Sequence, residues 1–196
     1  MLGIPIHISN PMRNAALWGR THKSGILCRI SKYVTLWSKL TYVQSVILPH
    51  FDYCATILLM ASETQLLRLQ RIQNKLMRVV LRCNRYTSVT LMLNTLQWLS
   101  VKQRIVYNCL IFIHKIKNEK LPQYLMDELQ YGLEIHNHGT RRAADFRLPR
   151  YTRTSKQRTL FYKGLKIYND LPQETKDTVN MSAFKRLITI FVKRNH

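Results

Sequence analysis

Two groups of cationic side chains in this sequence have the residue types and spacing needed to bind phosphate groups. The first group repeats at intervals of three and four residues within residues 62–85. Its members are Arg68, Arg71, Lys75, Arg78, Arg82 and Arg85. On a helix with about 100° per residue they would fall within an arc of about 100° and extend over about 25 Å. No acidic residue stands four positions away from any of them, so we expect the cations to be available for nucleic-acid phosphates.

The second group lies within residues 141–166, where nine cations accompany a single acid. The cations assigned here to nucleic-acid binding are Arg141, Arg142, Arg147, Arg150, Arg153, Lys156 and Arg158. The interleaved aromatic residues are Phe146, Tyr151, Phe161 and Tyr162. Arginine forms forked bonds with phosphate, and exposed aromatic rings stack on unpaired bases. Tyr151 is the preferred stacking residue, whereas Phe161, Leu165 and Tyr168 have spacing typical of a core.

The remaining titratable residues do not indicate a catalytic or metal site. His50 and Cys54 lie four residues apart, but nothing supplies the further ligands that zinc needs, so we expect core packing. His136 and His138 fall in a predicted linker and are expected to be solvated or satisfied. GxSxG, Walker and GxGxxG motifs are absent. We therefore predict no catalytic residue, metal, cofactor or small-molecule substrate.

The charge balance also indicates a polyanionic partner. The 196 residues include 31 Lys and Arg against 10 Asp and Glu, which gives a net charge of +21. Self-repulsion of this size opposes a compact state unless an anion neutralises it. Nucleic acid is the first expectation and an anionic membrane surface the second. Four widely separated cysteines without a CxxC pair favour free thiols, hence an intracellular location in nucleus or cytoplasm.

The composition predicts a helical fold, because glycine and proline are scarce and 46% of the residues are hydrophobic. The clearest helix covers residues 62–85, where Ser62 and Gln65 match a capping box. Its predicted buried face consists of Leu69, Ile72, Leu76, Val79 and Val80. Further helices are predicted over 36–48, 50–60, 88–99, 101–118, 121–129 and 181–194. In the last of these, Ser182 is the expected cap and the expected inward side chains are Phe184, Leu187, Ile188 and Phe191.

We predict a mostly α protein without a transmembrane segment, because Pro49, His50 and Asp52 interrupt its most apolar stretch. Residues 1–24 form an irregular lead-in, 25–130 a helical bundle, and 131–196 a basic, partly irregular module that ends in a helix. Arg104 is interpreted either as an anchor of the bundle or as a nucleic-acid contact.

Several strings, in order, resemble the region downstream of the polymerase core in non-LTR (LINE-type, jockey-like) retrotransposon reverse transcriptases. They are VILPHFDYCATIL, LQRIQNKLMRVVL, LQWLSVKQR and YLMDEL, followed by a stretch from residue 139 to 172 and FKRL. Within 139–172 the similar elements are Thr140–Arg141, Pro149–Arg150, Arg153–Thr154 and Tyr168–Pro172. The resemblance covers roughly residues 25–193 and rests on the ordered set, since no single string is specific.

This resemblance implies a thumb-like helical bundle and a basic tail from an RNA-directed DNA polymerase. Such polymerases hold two Mg²⁺ ions about 4 Å apart on paired aspartates. The paired-aspartate box is missing here, since each aspartate stands apart from the others. The resemblance therefore implies a non-catalytic fragment that binds RNA or an RNA–DNA hybrid, with the missing polymerase portions as a further partner.

Three alternatives to nucleic-acid binding stay open from the sequence. One is a structural or partner-binding helical bundle. Another is a decayed copy of a mobile element without a selected function. The third is peripheral binding to an anionic membrane through the helix over 182–194.

Overall fold

The computed structural model describes residues 22–53, 55–118, 121–126, 129–131 and 145–195, with the backbone alone at 22–24 and 155. These residues are mostly helical and contain no strand, which confirms the predicted fold class. Their one isolated β-bridge pairs Tyr131 with Phe146 in antiparallel fashion. In this part of the chain no helix is both long and apolar enough to cross a membrane. The start of the predicted lead-in, residues 1–21, and the predicted linker beyond Tyr131 lie outside the described residues.

The described α-helices range from four to nineteen residues in length. In chain order they are α1 (His22–Ile30), α2 (Leu36–Tyr42), α3 (Pro49–Asp52), α4 (Ala55–Leu58), α5 (Glu63–Leu81), α6 (Val89–Leu96), α7 (Val101–Lys117), α8 (Gln123–Met126), α9 (Thr154–Gln157), α10 (Leu165–Asn169), α11 (Gln173–Lys176) and α12 (Met181–Asn195). A π-helical segment, Val43–Ile47, follows α2, and a second, Leu160–Gly164, precedes α10.

Helix α5 begins at the predicted capping box. The Ser62 hydroxyl accepts a hydrogen bond from the Gln65 N–H, and the Gln65 side chain accepts one from the Ser62 N–H. Its buried residues are Leu66, Leu69, Gln73, Leu76, Met77 and Val80. The predicted buried face is thus correct in part: Ile72 and Val79 are only half-buried. Gln73 is buried in spite of its amide because its Nε2 donates to the Leu99 carbonyl, 2.7 Å away.

The predicted extension of this helix to Arg85 is wrong, because α5 ends at Leu81. Arg82 adopts a left-handed backbone conformation with φ of 53° and forms the C-cap. A left-handed residue stops the α-helical hydrogen-bond ladder and turns the chain away from the helix axis. The sequence gives little warning of this, since neither glycine nor proline follows Leu81.

Residues 22–51 and 62–101 form a first compact unit. Its buried core draws side chains from α1, the π segment after α2, α5, α6 and the loop after α6. The core residues are Leu27, Val43, Ile47, Leu48, Leu76, Met77, Val80, Met92 and Trp98. Leu36, at the start of the helix predicted over 36–48, is 52% exposed and does not belong to this core. Leu36 is the first residue of α2, whereas Val43 and Ile47 lie in the π segment that follows this helix.

Lys39 on α2 is a buried cation in this unit, with only 1% of its surface exposed. Burial and the nearby Arg82 both lower the pKa of its ammonium group from the ordinary 10.5. The unfolded chain therefore binds more protons than the folded chain between the lowered pKa and 10.5. Across that pH range, the contribution of Lys39 to stability becomes more favourable as pH rises.

We predict that Lys39→Met raises the melting temperature at neutral pH, because the variant removes a charge that the fold must desolvate. The gain over wild type should shrink as the pH is raised through 10.5, because above that pH the wild-type amine is largely neutral in both the folded and the unfolded chain. Thermal melts followed by circular dichroism at several pH values measure both effects. Lys32→Met removes the same charge at an exposed position of the same unit and should change the melting temperature little. A lower melting temperature for Lys39→Met alone would contradict this prediction.

Residues 52–61 and 102–195 form a second compact unit. Helix α7 contributes many buried side chains to this unit. The buried α7 residues of this unit are Ile105, Val106, Cys109, Leu110, Ile113, His114 and Ile116. The His114 ring stacks on Phe184 of α12 with ring centroids 3.7 Å apart, which packs these two helices together. Tyr168 of α10 adds its hydroxyl 3.3 Å from His114 Nδ1.

Arg104 serves as an anchor within this second unit, which is the first of its two predicted roles. Its Nε and Nη2 donate to the two carboxylate oxygens of Asp52 at 2.5 and 2.6 Å. Asn108 donates to the same carboxylate at 2.7 Å. A forked arginine pair of this kind fixes geometry as well as charge, so α7 is joined to the end of α3.

Helix α12 is amphipathic as predicted, but its cap and part of its buried face differ from the prediction. The cap is Asn180 instead of Ser182, because Asn180 Oδ1 accepts a hydrogen bond from the Ser182 N–H at 2.8 Å. Phe184 and Ile188 are buried as expected, and they are joined by Val192. Leu187 is exposed and Phe191 half-buried. Sequence periodicity leaves the centre of an apolar face uncertain by about one residue, or about 100°.

The two compact units do not follow the predicted boundary at residue 131. Tyr131 pairs with Phe146, and Lys117 Nζ donates to the Lys176 carbonyl at 2.9 Å. Segments on both sides of residue 131 therefore belong to the second unit. The predicted boundary rested on the Gly, His and Asn residues of 131–139, which are typical of a linker but do not determine which segments pack together.

Candidate nucleic-acid interface

Four of the six cations in the first predicted group lie on helix α5. Arg68, Arg71 and Lys75 are exposed, and Arg78 is half-buried with its Nε enclosed and unbonded within the described residues. We call these four residues the α5 cationic face. At 100° per residue, they are centred roughly opposite the buried side chains of α5. The sequence predicted them to lie beside the apolar side, so the face is more fully directed outward than expected.

The other two cations of this group, Arg82 and Arg85, do not lie on α5, because the helix ends before them. Arg82 donates through Nη2 to the carbonyl oxygens of Ser31 and Lys32 at 2.8 and 2.9 Å. This guanidinium is therefore used partly to hold the turn after α1. Arg85 is exposed in the following turn, with its Cζ 5.4 Å from the centroid of the Tyr86 ring.

No carboxylate of the described residues forms an ion pair with the α5 cationic face. Within the described residues the ion pairs are Arg104–Asp52, Lys117–Asp177 and Lys176–Asp145, and none includes a predicted phosphate-binding cation. The first unit holds ten Lys and Arg residues in 22–51 and 62–101, whereas Glu63 is its one acidic residue there. Such an excess produces a positive potential that attracts polyanions and is screened by salt.

The second predicted group is described in part. Arg141 and Arg142 lie outside the described residues. The five that are described are exposed: Arg147, Arg150, Arg153, Lys156 and Arg158. Arg147 is the most constrained of them, because its N–H donates to the Gln130 carbonyl at 2.8 Å and its Nη1 lies 3.4 Å from Gln130 Oε1. The segment thus presents cations to solvent from a backbone that is held in place.

The aromatic residues of this segment divide between core and surface. Phe146 was a candidate for base stacking, but it is 4% exposed and packs on Tyr131 and Tyr168. Leu165 and Tyr168 are buried as predicted, whereas Phe161 is half-buried. The preferred stacking residue, Tyr151, is half-buried between the Tyr162 ring at 6.1 Å and Lys156 Nζ at 5.6 Å from its centroid.

Asn169 fixes the start of this basic segment. Its Oδ1 accepts the Phe146 N–H at 3.0 Å and its Nδ2 donates to the Phe146 carbonyl at 2.7 Å. Nearby, Lys176 Nζ binds Asp145 Oδ1 and the Asn169 carbonyl at 2.8 and 2.7 Å. The Tyr168–Pro172 string therefore has a structural role here: Tyr168 and Leu171 are buried and Asn169 binds the backbone.

We predict that Asn169→Ala loosens residues 145–150, because it leaves the N–H and carbonyl of Phe146 without these partners. A buried backbone group without its hydrogen bond costs about 1–3 kcal/mol. Limited digestion with trypsin should then cleave after Arg147 and Arg150 severalfold faster than in wild type. Asn84→Ala changes an exposed asparagine in the other unit and should leave this rate unchanged. Equal cleavage rates in Asn169→Ala and wild type would contradict the assigned role.

The structure gives no support to metal or thiol chemistry in the described part of the chain. No three His, Cys, Asp or Glu side chains there are grouped to hold a metal ion. Cys54, His136 and His138 lie outside the described residues, and His50 is exposed. Burial raises the pKa of the Cys109 thiol to about 12, so this sulfur stays protonated and unreactive at neutral pH.

Three strongly exposed aromatic residues of the first unit were not identified from the sequence. Tyr33, Trp37 and Tyr86 are 88%, 74% and 82% exposed. Tyr33 and Trp37 stand close to Leu36 in the sequence. Together they resemble a hydrophobic run, which a periodicity argument assigns to a core. The adjacent pair Arg85–Tyr86 is the signal that could have indicated a surface site.

Comparison with known proteins adds no relative to these observations. No protein-family model matches the chain, and no curated protein or solved structure matches it.

Proposed function

We propose that this chain binds nucleic acid, RNA or an RNA–DNA hybrid, through electrostatic contacts with the phosphate backbone. The observation that supports the proposal most strongly is the α5 cationic face. Arg68, Arg71 and Lys75 are exposed on one side of a regular helix and form no ion pair within the described residues. Cations on one side of a helix can each contact a phosphate group and release the counterions that are condensed on the nucleic acid.

The exposed cations of residues 147–158 support the same proposal. Asn169 and Lys176 hold Phe146 and Asp145, directly before these cations, so the start of the segment is ordered before any ligand binds. The chemistry in both units is suited to phosphate rather than to base edges, so we expect little preference for sequence. The activity that we propose is binding, without a catalytic step.

As to ancestry, we propose that the chain derives from the thumb and post-thumb region of a non-LTR retrotransposon reverse transcriptase. The ordered strings described above are the support for this part of the proposal. In-frame coding sequence upstream with paired aspartates would support this origin, and an unrelated upstream reading frame would count against it.

Direct titration tests the binding proposal. Fluorescently labelled duplex RNA, RNA–DNA hybrid and duplex DNA of equal length are titrated with the protein and followed by anisotropy. Non-specific binding in the range of about 10⁻⁴ to 10⁻⁶ M at physiological salt is expected, with similar affinity for different sequences. If none of the three binds even at low salt, the proposal fails.

Anionic membrane surfaces are a second candidate, supported by the exposed side of α12. Leu187 and Ile190 are exposed there together with Lys185, Arg186 and Arg194. Basic helices with exposed apolar side chains bind anionic bilayers. Flotation with vesicles of phosphatidylserine and phosphatidylcholine tests this candidate, and binding that persists in excess RNA would favour it.

A further inference from the structure

Two tyrosines and a lysine lie together in the basic segment of the second unit. The ring centroids of Tyr151 and Tyr162 are 6.1 Å apart, and the two rings are inclined at 46° to each other. Lys156 Nζ lies 5.6 Å from the centroid of the Tyr151 ring. Gln157 Nε2 donates to the Tyr151 carbonyl at 2.8 Å, which joins the chain at Tyr151 to helix α9. We call Tyr151, Tyr162 and Lys156 the tyrosine site.

The tyrosine site is open to solvent on the side where Lys156 lies. Both tyrosines are half-buried, so packing limits their orientation while part of each residue stays accessible. Lys156 is exposed, and its ammonium group therefore covers the Tyr151 ring from the surface and not from the core. A lysine over an aromatic ring at an exposed position contributes only about two- to fivefold to an equilibrium constant. A ligand that binds the ring more strongly can displace it.

The neighbouring cations favour an anionic ligand. Arg150 directly precedes Tyr151 and Arg153 follows it by two residues, and both arginines are exposed. Neither these arginines nor Lys156 form an ion pair among the described residues. A ligand that fits this surface must therefore carry negative charge and also offer a flat ring. An unpaired nucleic-acid base on its phosphate backbone has both properties.

We propose that the tyrosine site binds an unpaired base of single-stranded RNA or DNA. This inference rests on the proposed function and names the class of nucleic acid more closely. The base stacks on the Tyr151 ring and displaces the Lys156 ammonium, which moves to the phosphate beside that base. Stacking on an aromatic ring contributes about five- to 100-fold in affinity for each base, which exceeds the lysine contact that is lost. The ammonium gains a charge-assisted hydrogen bond to the phosphate in return.

A blunt duplex offers the tyrosine site no free base. Each base inside a duplex is already stacked between its neighbours, and drawing it out costs both unstacking and unpairing. The Tyr151 ring should therefore contribute to the binding of single strands and contribute nothing to the binding of a blunt duplex. The cations of the segment contact phosphates in either ligand.

The test compares Tyr151→Ala with wild type on two fluorescently labelled ligands, single-stranded RNA and blunt duplex RNA of equal length. In anisotropy titrations, the variant should bind the single strand at least about fivefold more weakly than wild type does. Its affinity for the duplex should change less than about twofold, because no cation has been removed. Tyr151→Phe keeps the ring and should retain most of the affinity for both ligands.

Two further variants separate stacking from loss of packing. Tyr151→Leu keeps an apolar side chain beside Tyr162 but has no ring to stack, so it should lose single-strand affinity as Tyr151→Ala does. Tyr124→Ala removes an exposed tyrosine elsewhere in the same unit and should leave both affinities unchanged. Circular dichroism melts verify that each variant is folded.

The possible outcomes distinguish failure of this inference from failure of the proposed function. Wild type that binds neither ligand overturns both. Wild type that binds both ligands, with folded Tyr151→Ala and Tyr151→Leu variants of unchanged affinity, overturns the stacking inference alone. An equal loss of affinity for the two ligands also overturns it, because Tyr151 would then hold the basic segment in place without contacting a base.

Discussion

Reversal of three charges on the α5 cationic face should lower the affinity for duplex RNA by about 10²-fold or more at moderate salt. The variant is Arg68→Glu/Arg71→Glu/Lys75→Glu. Each lost contact leaves one phosphate's counterions unreleased, and each glutamate adds repulsion. The three residues are exposed and form no ion pair among the described residues, so the fold should tolerate the change. Arg78 is left in place because part of its guanidinium is enclosed.

The same charge change on another helix is the necessary control. Lys185→Glu/Arg186→Glu/Arg194→Glu alters three exposed cations of α12 and shifts the net charge by the same amount. If the α5 cationic face binds phosphate directly, the α5 variant should lose much more affinity than the α12 variant. Equal losses would mean that RNA responds to the net charge of the molecule, and the specific role of α5 would be refuted.

Both variants also discriminate between RNA and membrane as the partner. In the membrane alternative, the α12 variant should lose flotation with anionic vesicles while the α5 variant keeps it. Under nucleic-acid binding, anisotropy with duplex RNA should give the opposite order. Two variants measured on two ligands thus assign the cationic surface to one partner or the other.

The wild-type protein should lose affinity steeply as salt is raised. If the exposed cations of both units contact six to ten phosphates, the association constant should fall by about 10³–10⁵-fold between about 50 and 200 mM salt. The logarithm of the association constant should then fall linearly with the logarithm of salt concentration. Anisotropy titrations with duplex RNA at four or more salt concentrations measure this slope directly.

The slope also gives a count of phosphate contacts that can be compared between proteins. Reversal of three α5 cations should reduce its magnitude by roughly two to three, since each contact contributes about 0.7–0.9. A slope near zero in wild type would show that binding does not depend on phosphate contacts, and the electrostatic proposal would be abandoned. A steep slope that the α5 variant leaves unchanged would place the contacts elsewhere.

The fold and the candidate interface were predictable from the sequence to different extents. The capping box of Ser62 and Gln65 was predicted and is present, because it depends on residues three positions apart. The exposure of Arg68, Arg71 and Lys75 follows from helical periodicity alone. Their predicted position beside the apolar side was less accurate, because Gln73 and Met77, not Ile72 and Val79, are buried on α5.

The errors in the predicted interface arose where distant segments meet. Arg82 does not lie on the predicted helix face, because it caps α5 and donates to carbonyls about fifty residues earlier in the chain. Phe146 was a candidate for base stacking, yet it is buried because Asn169, 23 residues later, binds its backbone and Tyr168 packs on its ring. Neither contact has a periodic signature in the sequence.

The sequence alone determined the helical class, the main cap of α5 and the excess of positive charge. These depend on composition and on interactions between residues up to four positions apart, which the order of residues specifies directly. The tertiary structure decided where α5 ends, that Arg104 pairs with Asp52, and that Tyr33, Trp37 and Tyr86 remain exposed. Those outcomes depend on which distant side chains come to share the same space, and packing decides this only when the whole unit is formed.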